Sequence, residues 1–218
     1  MEFGDLSDNP FARVSQKEKV SGRRPLLRAF QVFVLATVAA GAVLILANQS
    51  KRWVAGRLTA DFDYLMEGRV TVGNGNGQLT TNNDGTLADG SAVQNVTLTI
   101  DAGVEIKGKT GTFANLLITR GSKIMAMGTK SAPIIMSSDD AGYDGSGEWG
   151  GLIIHGFAPH NECEVGGTYC DIDSEGESGF AGGYDEDDNS GVLNYVVVAE
   201  GGYEFSTGNE INGISLIG

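Results

Sequence analysis

Two cysteines, two histidines and a dense run of carboxylates lie between His155 and Asp188, and these are the side chains in this sequence best suited to chemistry. Cys163 and Cys170 sit close together in one segment, so in an oxidising compartment they are expected to pair as a disulfide. The bridge closes a small loop, and its entropic contribution is at most on the order of 2–3 kcal/mol. His155, His160, Cys163 and Cys170 are also ligand types that zinc accepts, but their spacing matches no zinc pattern. Asp171, Asp173 and Glu175 alternate, with Gly176 in sixth place, which is how a calcium loop begins. The twelfth place holds Gly182 instead of the bidentate Glu such a loop needs. Asp185, Asp187 and Asp188 could complete the site from a second acidic run. The competing reading is a solvated acidic loop.

Catalytic patterns are thin. No G-x-S-x-G stretch offers a serine nucleophile. Asp139, Asp140, Asp187 and Asp188 could be offered as the carboxylate pair of a glycoside hydrolase, as any acidic loop could. A lyase calls for a cationic base, and no Lys or Arg follows Lys130. The chemistry read from the sequence is therefore more that of a binding protein than of an enzyme.

Charge is unevenly distributed. Residues 1–60 carry a net +5 and residues 61–218 a net −18, within a total of −13. The acidic part repels nucleic acid, whose binding depends on neutralising phosphates, and suits divalent cations. Ala29–Ala47 is an apolar run of 19 residues with Gln31 and Thr37 as its only polar members. At 1.5 Å per residue a helix of that length spans about 28 Å, close to a bilayer core. Basic residues are in excess on its N-terminal side. The run reads either as a retained signal anchor, with residues 1–28 as a cytoplasmic tail, or as a cleaved signal. Both readings export residues 61–218.

The elements that must position these side chains follow from alternation and glycine corners. Trp53, Leu58, Phe62 and Leu65 recur at roughly helical spacing, which predicts a juxtamembrane helix within residues 51–67. Gly73–Ser91 is turn-rich and reads as a linker, so residues 51–90 form one segment and the solenoid begins at residue 91. In "VTLTI", Val96, Leu98 and Ile100 share one side of a strand and Thr97 and Thr99 the other. "DAG" turns the chain and "VEIKG" alternates again. An offset of about 18 residues then places Leu116 on Leu98, Ile118 on Ile100, Gly121 on Gly103 and Ile124 on Ile106. The same step brings Ile134 and Met136 to the Leu98 and Ile100 positions. Strand, corner and strand at a fixed offset predict an all-β parallel solenoid, in which coils bury ladders of like residues. Trp149, Gly150 and Gly151 read as a structural corner of that wall.

Several stretches resemble a family of secreted or cell-surface bacterial parallel β-helix proteins, mostly of unassigned function. They are "VTLTIDAGVEIKG" (96–108), "ITRGSKIMAMGTKSAPIIMSS" (118–138), "GEWGGLIIHGFAPHN" (147–161), "GGYDEDDNSGVLNYVVVAEGGYE" (182–204) and "NEINGISLIG" (209–218). The resemblance covers about residues 90–218. It implies a β-helix, right-handed by that resemblance, in an exported protein, and it implies no reaction. The leader is longer than such proteins lead one to expect. The run ending at Gly218 has no cap, which is the look of a fragment. The expectation is an exported, non-catalytic solenoid for adhesion, binding or scaffolding. It would be held to the membrane through Ala29–Ala47, with a surface glycan or protein as ligand and calcium in its acidic loops. The alternatives are a carbohydrate-active β-helix enzyme, with catalytic residues partly beyond Gly218, and a membrane-anchored, partner-binding periplasmic subunit.

Overall fold

A computed structural model describes residues 14–18, 56–82 and 84–218. Strand β1 is Val14–Glu18. Four coils of three strands each follow. The first is β2 (Gly56–Leu58), β3 (Phe62–Met66) and β4 (Val70–Val72), and the second is β5 (Thr97–Ile100), β6 (Glu105–Gly108) and β7 (Asn115–Ile118). The third is β8 (Lys123–Met127), β9 (Ile134–Ser138) and β10 (Gly151–His155). A hairpin, β11 (Ile172–Ser174) and β12 (Gly179–Ala181), precedes the fourth coil. That coil is β13 (Gly191–Asn194), β14 (Val196–Val198) and β17 (Ile214–Ile217), with a second hairpin, β15 (Glu204–Ser206) and β16 (Asn209–Glu210), between its last two strands.

Like strands of successive coils pair in parallel and build three sheets, ordered β2-β5-β8-β13, β3-β6-β9-β14 and β4-β7-β10-β17. The predicted parallel β-solenoid is the fold. The predicted stacking offset is not. Leu98 lies beside Ile124 and Ile100 beside Ala126, one coil and 26 residues on. Ile106 lies beside Met136, and Ile118 beside Ile154. The 18-residue step moves from Leu98 to Leu116 to Ile134, which belong to three different sheets. All three faces carry the same signature, two alternating apolar residues and then a glycine-rich corner, so a change of face resembles a full coil.

The solenoid also begins earlier than expected. Residues 56–72 form the first coil, so the helix predicted within 51–67 is replaced by strands over its described part. Leu58 ends β2 and Phe62 begins β3 across a three-residue corner, and Leu65 alternates with the buried Tyr64 and Met66, so the intervals of four and three that imitate a helix come from two short strands and a corner. The segment read as a linker is the connection from β4 to β5; it folds on itself through Leu79–Leu87 and Thr86–Ala92 bridges, with both leucines buried. Val14–Glu18 pairs antiparallel with β3. The apolar run Ala29–Ala47 lies outside the described residues.

Inside the triangle of sheets, Ile100, Ile118, Ile124, Ile134 and Met136 have no exposed surface. Each such side chain contributes roughly 1.5–3 kcal/mol on full burial. The two central strands of the third sheet, β7 and β10, are buried on both sides: Leu117 and Ile153 face outward into a second cluster with Ile211. Strands covered on both sides read as continuous apolar runs. That is why "NLLI" and "GLIIH" lack the alternation of "TLTI". The cover is a layer made from segments 73–96, 156–190 and 199–213, and it positions most of the polar chemistry.

Candidate functional site

The Trp149 corner is structural. Trp149 is fully buried, and its Nε1 donates to the Ala199 carbonyl at 2.7 Å. Its ring lies so close over Gly108 that a Cβ there would meet ring atoms at 2.7–2.9 Å. Gly151 has φ +89°, and a Cβ there would come within 2.5 Å of the Gly213 carbonyl oxygen. Only glycine meets both demands.

The zinc alternative fails on geometry. Cys163 and Cys170 are joined in a disulfide, as their spacing predicted, so neither has a thiolate to offer. His155 points outward from β10 but is sealed under the covering layer. Its Nε2 lies 3.1 Å from Ser174 Oγ and 3.3 Å from Ser178 Oγ, and both serines are buried. Burial, and then the charge of nearby Arg120, lower the His155 pKa to about 3.

This depression is a stability statement. The unfolded imidazole takes a proton near pH 6.5 and the folded one does not, so stability is fully present above that pH and falls as the solution is acidified towards about 3. Unfolding free energy is expected to be about 2 kcal/mol lower at pH 5 than at pH 7.5 from this group alone. Urea titrations at the two pH values check it: His155→Gln should lose that part of the slope, and an equal slope in the variant counts against the assignment.

The calcium set read from the sequence is not brought together. Asp171 is the counter-ion of Arg120, with Nη1 to Oδ1 at 2.6 Å, and both side chains are almost wholly buried. Its other oxygen accepts from Leu79 N at 2.8 Å and Tyr169 Oη at 3.0 Å. Asp173 and Glu175 are exposed on the β11–β12 hairpin. Asp185 Oδ1 accepts from Asp187 N at 3.1 Å within its own turn, and Asp188 Oδ2 accepts from Phe157 N at 3.0 Å, tying that turn to the residues just after β10. Asp139, half of the offered hydrolase pair, is taken by the amide and hydroxyl of Thr110, both at 2.7 Å.

The structure gathers a different acidic group. Among the described residues, only Asp140, Asp144 and Glu148 place carboxylate oxygens all within 4.8 Å of one another. They occupy the loop between β9 and β10, and Asp140 and Asp144 are exposed. Their spacing, an acid at every fourth position, was visible in the sequence. Behind them, Ser138 Oγ lies 2.6 Å from Glu148 Oε2 and 3.0 Å from Glu200 Oε2. One hydroxyl hydrogen cannot serve two carboxylates. Glu200 is buried and also accepts from Ser138 N at 3.1 Å. Three hard-oxygen groups at this separation could hold a divalent cation such as calcium.

Sequence reasoning also passed over Lys107. It precedes the cation-free part of the chain, yet it reaches the same loop from the coil below: Nζ donates to Ser137 Oγ at 2.7 Å and lies 5.9 Å from the Tyr143 ring centre. Arg69 and Arg120 gave no local signal either. Each clamps the covering layer through backbone carbonyls, Arg69 on Gly176 and Glu177, and Arg120 on Gly75, Gly77 and Gly182.

Residues 68–218 match a family profile described as a pectate-lyase-like β-helix domain. No curated protein and no solved structure matches the chain.

Proposed function

The chain belongs to the pectate-lyase-like β-helix family, and from that premise we propose an exported, non-catalytic binding module whose coils present a calcium loop at residues 139–150. Its role is adhesion or scaffolding toward a surface glycan or protein. The observation that carries this reading is the Asp140–Asp144–Glu148 group, backed by a buried Glu200 whose nearest partner is a shared hydroxyl. Export is supported by the disulfide, which suits an oxidising compartment, and by the apolar run with its basic flank. If Ala29–Ala47 spans a bilayer, β1 and β3 lie on opposite sides of it and do not pair. The fold then rests on residues 56–218.

Calorimetric titration with calcium tests the loop. At a hundredfold excess over Kd, calcium stabilises by about 2.7 kcal/mol. The melting temperature is then expected to rise by roughly 5–10 °C. Asp144→Asn should abolish the rise, and Asp173→Asn, outside the group, should retain it. No heat of binding and an unmoved melt would exclude calcium here.

A second reading, a polysaccharide lyase, is favoured by one observation: Lys107 stands beside the Tyr143 ring of the same loop and could supply a base. Release of an unsaturated sugar from an anionic polysaccharide, in the presence of calcium, would distinguish it from the binding module.

A further inference from the structure

His155 plays no part in the calcium reading, and the residues around it leave its protonation little freedom. The ring is fully buried beneath the β11–β12 hairpin, where Nε2 faces Ser174 Oγ and Ser178 Oγ. Ser174 Oγ donates to the Gly179 carbonyl, and Ser178 Oγ donates either to the Glu175 carbonyl at 2.8 Å or to Ser174 Oγ at 2.6 Å. A hydroxyl has one hydrogen to give, so neither has one left for the ring. Nε2 therefore carries the imidazole hydrogen, and Nδ1 is a buried lone pair without a hydrogen-bond partner. A second proton has to enter at Nδ1. It would charge the ring near two buried guanidiniums, Arg120 from the corner after β7 and Arg69 from the corner before β4. The nearby carboxylates are engaged or exposed: Asp171 pairs with Arg120, and Glu177, which acts on Arg69, is on the solvent side of the hairpin. The Phe180 backbone favours the charged ring, but less than burial and Arg120 oppose it.

The hairpin above the ring has little apolar surface to hold it down. Its buried positions are Ser174, Gly176 and Ser178, and Asp173, Glu175 and Glu177 alternate with them towards solvent. Its ties to the rest of the molecule are mainly polar. Arg69 donates to the Gly176 and Glu177 carbonyls, Asn76 Nδ2 to Ser178 O at 3.2 Å, Phe180 N to Asn76 O at 2.9 Å and Gly176 N to Asn209 Oδ1 at 3.1 Å. Segments with few buried apolar contacts open locally at a lower free energy than the core. We propose that His155 and the β11–β12 hairpin form an acid-sensitive latch: the hairpin stays down over a neutral imidazole and lifts, with the coils intact, when the ring takes a proton. Lifting bares Ile211 and Phe205, which Gly176 approaches so closely that a Cβ there would lie 2.4 Å from Ile211 Cγ1. The latch is built from other residues than the calcium loop, so either can fail without the other.

Native-state hydrogen exchange of the full chain at pH 7.5 and 4.5, corrected for the intrinsic rate at each pH, tests the latch. The Gly176 and Phe180 amides lose their acceptors when the hairpin lifts. With the imidazole near 6.5 when open and at about 3 when closed, their opening constant should rise about a hundredfold from the higher pH to the lower. Their exchange should respond weakly to added urea, because a local opening exposes little surface. The β7 and β9 amides, released by global unfolding, should exchange more slowly at both pH values and respond steeply to urea. In His155→Gln the pH response of Gly176 and Phe180 should vanish, although Asp171 and Glu177 remain. Proton NMR of the unaltered chain gives a second readout that needs no variant: the His155 ring should keep its neutral shifts down to about pH 5. The proposal is overturned if Gly176 and Phe180 share the slow exchange and urea response of β7 and β9, if they lack the pH response, if His155→Gln keeps it, or if the ring protonates near pH 6.5 with the hairpin still protected.

Discussion

Arg120→Leu is expected to lower the free energy of unfolding by about 3–5 kcal/mol. Arg120 has no exposed side-chain surface. Its Nε donates to the Gly75 carbonyl at 2.7 Å, its Nη2 to Gly77 at 2.6 Å, and its Nη1 to Gly182 at 3.1 Å and to Asp171 at 2.6 Å. Leucine fills part of the space and supplies no donor. It leaves three carbonyls short of a partner and Asp171 as a buried anion with no cation beside it. The second fault dominates, because an isolated buried charge costs more than a missing neutral hydrogen bond. Arg120→Lys should recover only part of the loss, since one ammonium cannot imitate a planar fork that reaches four acceptors. The double change Arg120→Leu with Asp171→Leu should cost clearly less than the two single changes added together, because it removes both charges. Urea unfolding of the four proteins measures this, and limited proteolysis within 156–190 reports whether the cover opens first. A single-variant loss below about 1 kcal/mol would mean that water reaches the pair and that the arginine is not the clamp described.

The strands were legible where one side faces the core and the other faces solvent. "TLTI" and "VEIKG" alternate because only one face of the first and second sheets is covered, and period-two patterns report that directly. The stacking partner was not legible. Leu98 has equally good aliphatic matches at 116, 124 and 134, and only the lengths of the corners decide that Ile124 is its neighbour. Residues 56–72 mislead for a related reason: Leu58, Phe62 and Leu65 fall four and three apart across a corner between two short strands, and a helix would space them the same way.

The site was less legible because its partners are remote in sequence. Asp171 opens a pattern that resembles a calcium loop, but its partner is 51 residues away. Nothing local distinguishes a carboxylate facing an arginine from one facing water. Arg120 stands in "TRGS", which has the composition of an exposed corner, and it is buried only because the covering layer folds over that corner. The Asp140, Asp144 and Glu148 spacing was visible, but in a loop of Gly, Ser and Asp many such spacings occur. What selects this one is the convergence of Glu148 and Glu200 on Ser138, which joins the third coil to the fourth. The disulfide was the exception, since both of its ends lie in one short segment.

Trp149→Ala should cost about 3–5 kcal/mol, the range for removing a large buried aromatic from a core that cannot collapse into the space. Three features set the size of that loss. Trp149 forms a parallel bridge with Gly201. Its Nε1 holds the Ala199 carbonyl. Its ring occupies the volume that Gly108 leaves open. Glycine at 108 has no side chain with which to fill the hole, and the strands on either side are fixed in register by their own ladders. Trp149→Phe keeps much of the ring and loses the hydrogen bond, so its cost should fall between that of the alanine variant and zero, with about 1–3 kcal/mol from the unpartnered carbonyl. The reverse test acts on the other surface of the contact. Gly108→Ala adds a methyl group that meets the ring well inside contact distance, and it should be destabilising by about 1–3 kcal/mol although it removes nothing. In combination with Trp149→Ala the added methyl meets no ring and keeps only the 2.8 Å approach to the Cβ of residue 149, so the two losses should add only in part. Denaturant titration of the single and double variants separates the outcomes: a Gly108→Ala cost that persists unchanged in the Trp149→Ala background would show that the indole ring is not what the glycine makes room for.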